Sequence, residues 1–196
     1  MKGYIYIASA FETVNRSVCG QKGSWIDNDP HFWTSPPTWG ICRNDLRARV
    51  EPGDVIFFVL PRRGRHPQMI FGFLTIAEII SHSEAFGRRE LRAKRMANKT
   101  PNGNIIVDSN GVYNRYDGGA HRSKFEKIRL HYAIGSESNS RMLTAAEITR
   151  LAPALVPVLS SVIGLDGTRA IDLISRYGRR LNETQVRSLL KWLNGQ

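Results

Sequence analysis

The sequence predicts an α+β protein, a mixed β core over residues 1–138 followed by a helical extension over 139–196. Three observations carry this. Short runs of β-branched and aromatic residues, bounded by turn-forming residues, recur along the first part. From about residue 141 the apolar residues recur at helical spacing instead. At 41% hydrophobic and 23% charged residues, the chain can bury a real core.

Tyr4–Ser9 reads as the first buried strand, and residues 11–40 as a long irregular stretch rich in Asn, Asp, Ser, Gly and Pro. Asn44–Val50 suits a short helix. Glu51-Pro52-Gly53-Asp54 is a turn launching a strand over Val55–Leu60, whose partner is Ile70–Ile80. Glu84–Ala97 reads as a charged helix, and Asn104–Val107 and Lys127–Gly135 as further strands. Thr144 and Glu147 have capping-box spacing, which starts a helix that Pro153 and Pro157 must break or restart. A helix over Thr168–Tyr177 ends at Gly178. A last one begins at Asn182 and lines up Val186, Leu189, Leu190 and Leu193.

The 28 Lys and Arg against 17 Asp and Glu give a net charge of +11, which favours polyanionic partners, nucleic acid before membrane. The apolar stretches Val55–Leu60 and Ile70–Ile76 are too short to span a bilayer. The two cysteines, Cys19 and Cys42, form no Cys-x-x-Cys pair, so a cytoplasmic chain with reduced thiols is expected. Residues 1–40 carry three basic and three acidic side chains, whereas 41–100 carry twelve against six. The neutral segment holds Trp25, Trp33 and Trp39, and an aromatic region beside a basic one suits a base next to its phosphates.

Enzyme signatures are thin. His31, His66, His82, His121 and His131 show no metal-ligand spacing, and no phosphate-binding or nucleophile-elbow motif occurs, so neither metal nor cofactor is expected. The loop Asn114–Arg122 is the one stretch that suits chemistry: Asp117 and His121 as an acid/base pair, Arg122 and Lys124 as phosphate contacts. A glycine turn around a hydrogen-bonded Asp explains the same residues. Arg62, Arg63 and Arg65 crowd one loop between strands and are phosphate-contact candidates.

Several motifs resemble those of the PUA-like superfamily barrels of the EVE and YTH kind. They are Ala8-Ser9 after the first strand, the loop from Trp25 to Trp39, Gly53-Asp54-Val55-Ile56-Phe57-Phe58, and Phe71-Gly72-Phe73-Leu74. The stretch Pro37–Arg47, with Gly103–Ile106 and Gly111–Asn114, is similar to blocks of nucleotide-modification-associated domains. The resemblance covers residues 2–135 and implies a PUA-like mixed β-barrel. It also implies a pocket for a modified or flipped base, walled by Trp25, Trp33 or Trp39 with Ser9 as a polar contact. The expected function is therefore modified-base recognition in DNA or RNA. The alternatives are an enzyme acting on a nucleotide or nucleic acid (hydrolysis or base modification) through Asp117 and His121, and an interaction or self-association module using the C-terminal helices.

Overall fold

A computed structural model describes residues 1–8, 29–62, 68–97 and 103–195. The fold is mixed α+β. Seven strands follow the hydrogen-bonded order β2-β5-β4-β3-β1-β7, with β6 paired to β4. Among the described residues this path has two open ends and does not close on itself. The strands are β1 (Gly3–Ile7), β2 (Thr38–Trp39), β3 (Val55–Val59), β4 (Ile70–Ile80), β5 (Tyr132–Gly135), β6 (Arg141–Met142) and β7 (Arg179–Leu181). The helices are α1 (Asn44–Arg47), α2 (His82–Gly87), α3 (Phe125–Ile128), α4 (Ala145–Leu151), α5 (Leu155–Ile163), α6 (Ala170–Ile174) and α7 (Glu183–Leu193).

The described chain sorts into two compact units. One comprises residues 1–8, 53–62, 68–73 and 142–195, the other 29–52, 74–97 and 103–141. The C-terminal stretch thus groups with the first strand rather than standing apart as an extension beyond residue 138.

In the first unit, β1 lies parallel to β3, Gly3 opposite Val55 through Ile7 opposite Val59, and antiparallel to β7. Both β1 and β3 are almost wholly apolar and buried, as strands covered on both faces should be. Helix α7 lies against β1: a Cβ at Gly3 would sit 2.5 Å from Val186 Cγ2 and 2.9 Å from the Val55 carbonyl oxygen. Val186, Leu189 and Leu193 are buried, so the apolar side of α7 is taken up within this unit.

The capping box expected at Thr144 forms, and the last helix starts in the same way at Asn182. Thr144 Oγ1 accepts from Glu147 N at 3.3 Å while Glu147 Oε2 accepts from Thr144 N at 2.8 Å, and Asn182 and Gln185 exchange bonds of 3.0 Å each. Pro153 falls in a 3₁₀ turn, Ala152–Ala154, but Pro157 stays inside the first turn of α5, where no backbone donor is needed. The resulting run Ala145–Ile163 is 19 residues long. By length and composition it can cross a membrane, unlike the shorter apolar stretches read from the sequence.

In the second unit, β5 pairs antiparallel with β2 and with the Ile76–Ile80 part of β4, where the register shifts between Ile76 and Glu78. A core of Ile41, Ile80, Leu91, Ile105, Ile106, Ile128 and Tyr132 forms here, with Phe86, Tyr113, Tyr116 and Phe125 packed on its edge.

Three sequence expectations change in this unit. The helix expected over 84–97 is only α2 plus a 3₁₀ turn, Arg92–Lys94. Ser81 caps α2, and after Gly87 the chain leaves the helix so that Lys94 reaches buried partners. Asn104–Val107 is not a strand but makes isolated pairings, Arg95 with Ile105 and Val107 with Tyr113. Phe125–Ile128 is helical, and the strand starts only at Tyr132.

One carboxylate ties this unit together. Asp29, 3% exposed, accepts the backbone N–H groups of Gly40 at 2.6 Å, Ile41 at 2.9 Å and Cys42, and the Asn104 amide at 3.2 Å. Asn104 Oδ1 in turn accepts from Thr38 Oγ1 at 3.2 Å and from the Tyr132 hydroxyl at 2.7 Å. A Cβ at Gly40 would overlap the Asn104 carbonyl and lie 2.7 and 2.8 Å from Tyr132 ring carbons.

Replacing Asp29 by Ala strands three buried N–H groups and an amide, and should cost roughly 3–5 kcal/mol in denaturant melts. Gly40→Ala should cost about 1–3 kcal/mol through overpacking. A stability change within 0.5 kcal/mol for Asp29→Ala would contradict the network's role.

Candidate functional site

The segment from Asp108 to Lys124 carries a cleft and a hydrogen-bonded cluster side by side in the chain. The cleft, about 410 Å³, is lined by Phe86, Met96, Asp108, Ser109, Tyr113, Asn114, Arg115 and Tyr116. Its floor is held by Asn114, which is buried, donates to the Met96 carbonyl at 3.3 Å and accepts from Tyr116 N at 3.0 Å.

Guanidinium groups lie over the surrounding rings. Arg95 is 4.3 Å from the Phe86 centroid, Arg115 5.0 Å from Tyr116, Arg122 5.6 Å from Tyr113 and Arg129 5.8 Å from Phe125. Four such pairs fall within residues 86–129.

Asp117 stands at the centre of the cluster. It accepts from the Tyr113 hydroxyl, from His121 N at 2.9 Å and, through Oδ1, lies 2.8 Å from His121 Nδ1. Burial alone would push the Asp117 carboxyl up, but the hydrogen bonds from His121 and Tyr113 outweigh it and hold the group below its usual range. Burial and the neighbouring Asp117 push the Tyr113 phenol up. The carboxylate fixes the imidazole's orientation, an arrangement that serves acid/base chemistry and turn stabilisation alike. Arg122 and Lys124, both exposed, stand on the adjoining 3₁₀ turn.

Of the other sequence candidates, Trp39, Trp33 and Arg62 fall among the described residues. Trp39 is fully enclosed in β2, with the Arg47 guanidinium 5.8 Å from its ring, so it offers no open wall to a ligand. Trp33 is 39% exposed, and Arg62 is exposed. Ser9, Trp25, Arg63 and Arg65 lie outside the described residues. Sequence reasoning found the Asn114–Arg122 loop but missed Phe86, Tyr113 and Tyr116. The adjacent pair Arg115-Tyr116 was the signal available.

A buried basic cluster was missed altogether. Lys94, 0% exposed, donates to His31 Nδ1 at 2.9 Å and to the Thr34 carbonyl at 2.7 Å. Burial pushes the lysine down to about 7. Burial, then the nearby Lys94 charge, pushes His31 down to about 3. His82 falls to about 3 as well, through full burial and then the Arg47 charge. Its Nδ1 accepts from Ile106 N at 3.0 Å, so the neutral ring carries its proton on Nε2 and gives it to the Gly40 carbonyl at 2.8 Å.

Among the described residues no group of three or more His, Cys, Asp or Glu side chains has metal-site geometry. No family model matches the chain, and no curated protein matches it.

Unfolded histidines titrate near 6.5, whereas folded His31 and His82 take their protons only near pH 3. Between these values the unfolded chain binds more protons. Stability is therefore fully present above pH 6.5 and is lost as pH falls, by roughly 1.4 kcal/mol per unit for each histidine. Lys94 acts in the same sense higher up: stability should keep rising above pH 7 toward 10.5. Denaturant melts from pH 4 to 9 should show both limbs; Lys94→Met should flatten the upper one and, by removing the charge beside His31, also weaken that histidine's share of the lower one. A wild-type curve flat above pH 7 would contradict the buried-lysine account.

Proposed function

We propose that this protein binds nucleic acid and takes an unstacked base, flipped or modified, into the cleft of the second unit, with arginines meeting the backbone. The observation that carries this reading is the cleft itself: Phe86, Tyr113 and Tyr116 supply rings, and Arg95, Arg115 and Arg122 bring positive charge onto the same rings. Stacking on such rings contributes ~1–3 kcal/mol per base and suits any base, while the guanidinium groups neutralise phosphates. The net charge of +11 supplies the long-range attraction.

The PUA-like relationship belongs to the same proposal. It is supported by the sequence motifs and by a mixed sheet in which β1 runs parallel to β3. On this reading Trp39 packs the fold, and the role expected of the tryptophans passes mainly to Phe86, Tyr113 and Tyr116. The second reading, an enzyme, is favoured by the 2.8 Å Asp117–His121 contact. Conversion of a nucleotide or oligonucleotide that is lost in Asp117→Asn while binding persists would establish it.

Affinity for single-stranded oligonucleotides should fall linearly on a log–log plot against salt. Arg115→Ala and Arg122→Ala should each reduce the slope by about one, and Tyr116→Ala should cost ~1–3 kcal/mol of affinity with the slope kept. Salt-independent binding, or none at low salt, would overturn the reading.

A further inference from the structure

Resting on that base-binding reading, we propose that Asp108 selects the base, and that the cleft prefers guanine over uracil. Asp108 lines the cleft beside Ser109 and Tyr113. Its carboxylate is held by the turn it begins: Oδ1 accepts from Asn110 N at 2.8 Å and from Val112 N at 3.2 Å. The turn is closed by its own backbone, Gly111 N to the Asp108 carbonyl at 3.0 Å and Asp108 N to the Val112 carbonyl at 2.9 Å. Gly111 takes φ 74°, a conformation that side chains resist, so the turn is specified by its sequence.

One carboxylate oxygen is thus committed, and the other, Oδ2, makes no hydrogen bond among the described residues. A carboxylate only accepts. The base edge that answers it offers N–H groups and no lone pair between them. Guanine presents N1–H and the exocyclic N2 amino group side by side. Adenine and cytosine each offer one amino group next to a ring nitrogen lone pair. Uracil flanks its single N3–H with two carbonyl oxygens, which a carboxylate repels. The expected order is therefore guanine first, adenine and cytosine between, uracil last. Discrimination through a positioned polar group exceeds what stacking alone provides, because the wrong base leaves that group desolvated and unpaired.

The test is fluorescence anisotropy with nine-nucleotide oligouridines carrying one central G, A, C, U or N1-methylguanine, at fixed low salt. Central guanine should bind at least tenfold more tightly than uridine, and N1-methylguanine should lose most of that gain. Asp108→Asn keeps an Oδ1 acceptor for the turn, so its melting temperature should match wild type while the preference collapses to within about twofold. Equal affinity for all five probes overturns the role of Asp108 and leaves base binding standing. A guanine preference unchanged in Asp108→Asn also overturns it. Absence of binding to every probe overturns the base-binding reading, and this proposal with it.

Discussion

The second unit depends on the Asp29 carboxylate. Three consecutive backbone N–H groups, those of Gly40, Ile41 and Cys42, converge on it, and the Asn104 side chain adds a fourth donor. A buried carboxylate is tolerable only when its lone pairs are filled, and here the filling is done by main chain, which no neighbour can supply more cheaply. Because Asn104 also receives Thr38 and Tyr132, the same node sets the chain after β2, the segment leading to Ile105 and the start of β5. Gly40 is needed for a second reason: it passes against the Tyr132 ring with no room for a Cβ. The cleft residues pack on the core these segments enclose, so its geometry is inherited from a network that contributes no residue to its lining.

What was legible in the sequence was what local forces decide. Ile70–Ile80 reads as a strand because it is a long β-branched and aromatic run, and the boxes at Thr144 and Asn182 read as helix starts because their partners are three residues away. What was not legible depends on residues far along the chain. Lys94 reads as one more charge on a helix, yet its ammonium is satisfied by groups 60 and 63 residues earlier. The two-residue strand β2 has too little pattern to announce itself and exists because β5 pairs with it and Asp29 holds the chain just after it, at Gly40 N.

The candidate site was legible as a segment and not as a surface. Gly118, Gly119, Asp117 and His121 marked the loop, but a ring becomes a cleft wall only when Phe86 and Tyr113 are brought together across 27 positions by the core beneath them. Of the three tryptophans named as base-wall candidates, Trp39 went to the core, Trp33 is 39% exposed and Trp25 lies outside the described residues. Trp39 carries a large apolar ring system into β2, and the core encloses it.

The pairing of β1 with β7 has a consequence for synthesis on the ribosome. Strand β1 is translated more than 170 residues before its partner β7, Arg179–Leu181, and before its cover, α7. The residues of the second unit are complete by position 141. Nascent chains will therefore pass through an interval in which one half can assemble while an apolar strand, Gly3-Tyr4-Ile5-Tyr6-Ile7, awaits its edge partner. That interval is when a holding chaperone has most to gain from this sequence, and premature stops before Val186 should send it to proteolysis rather than to a working remnant.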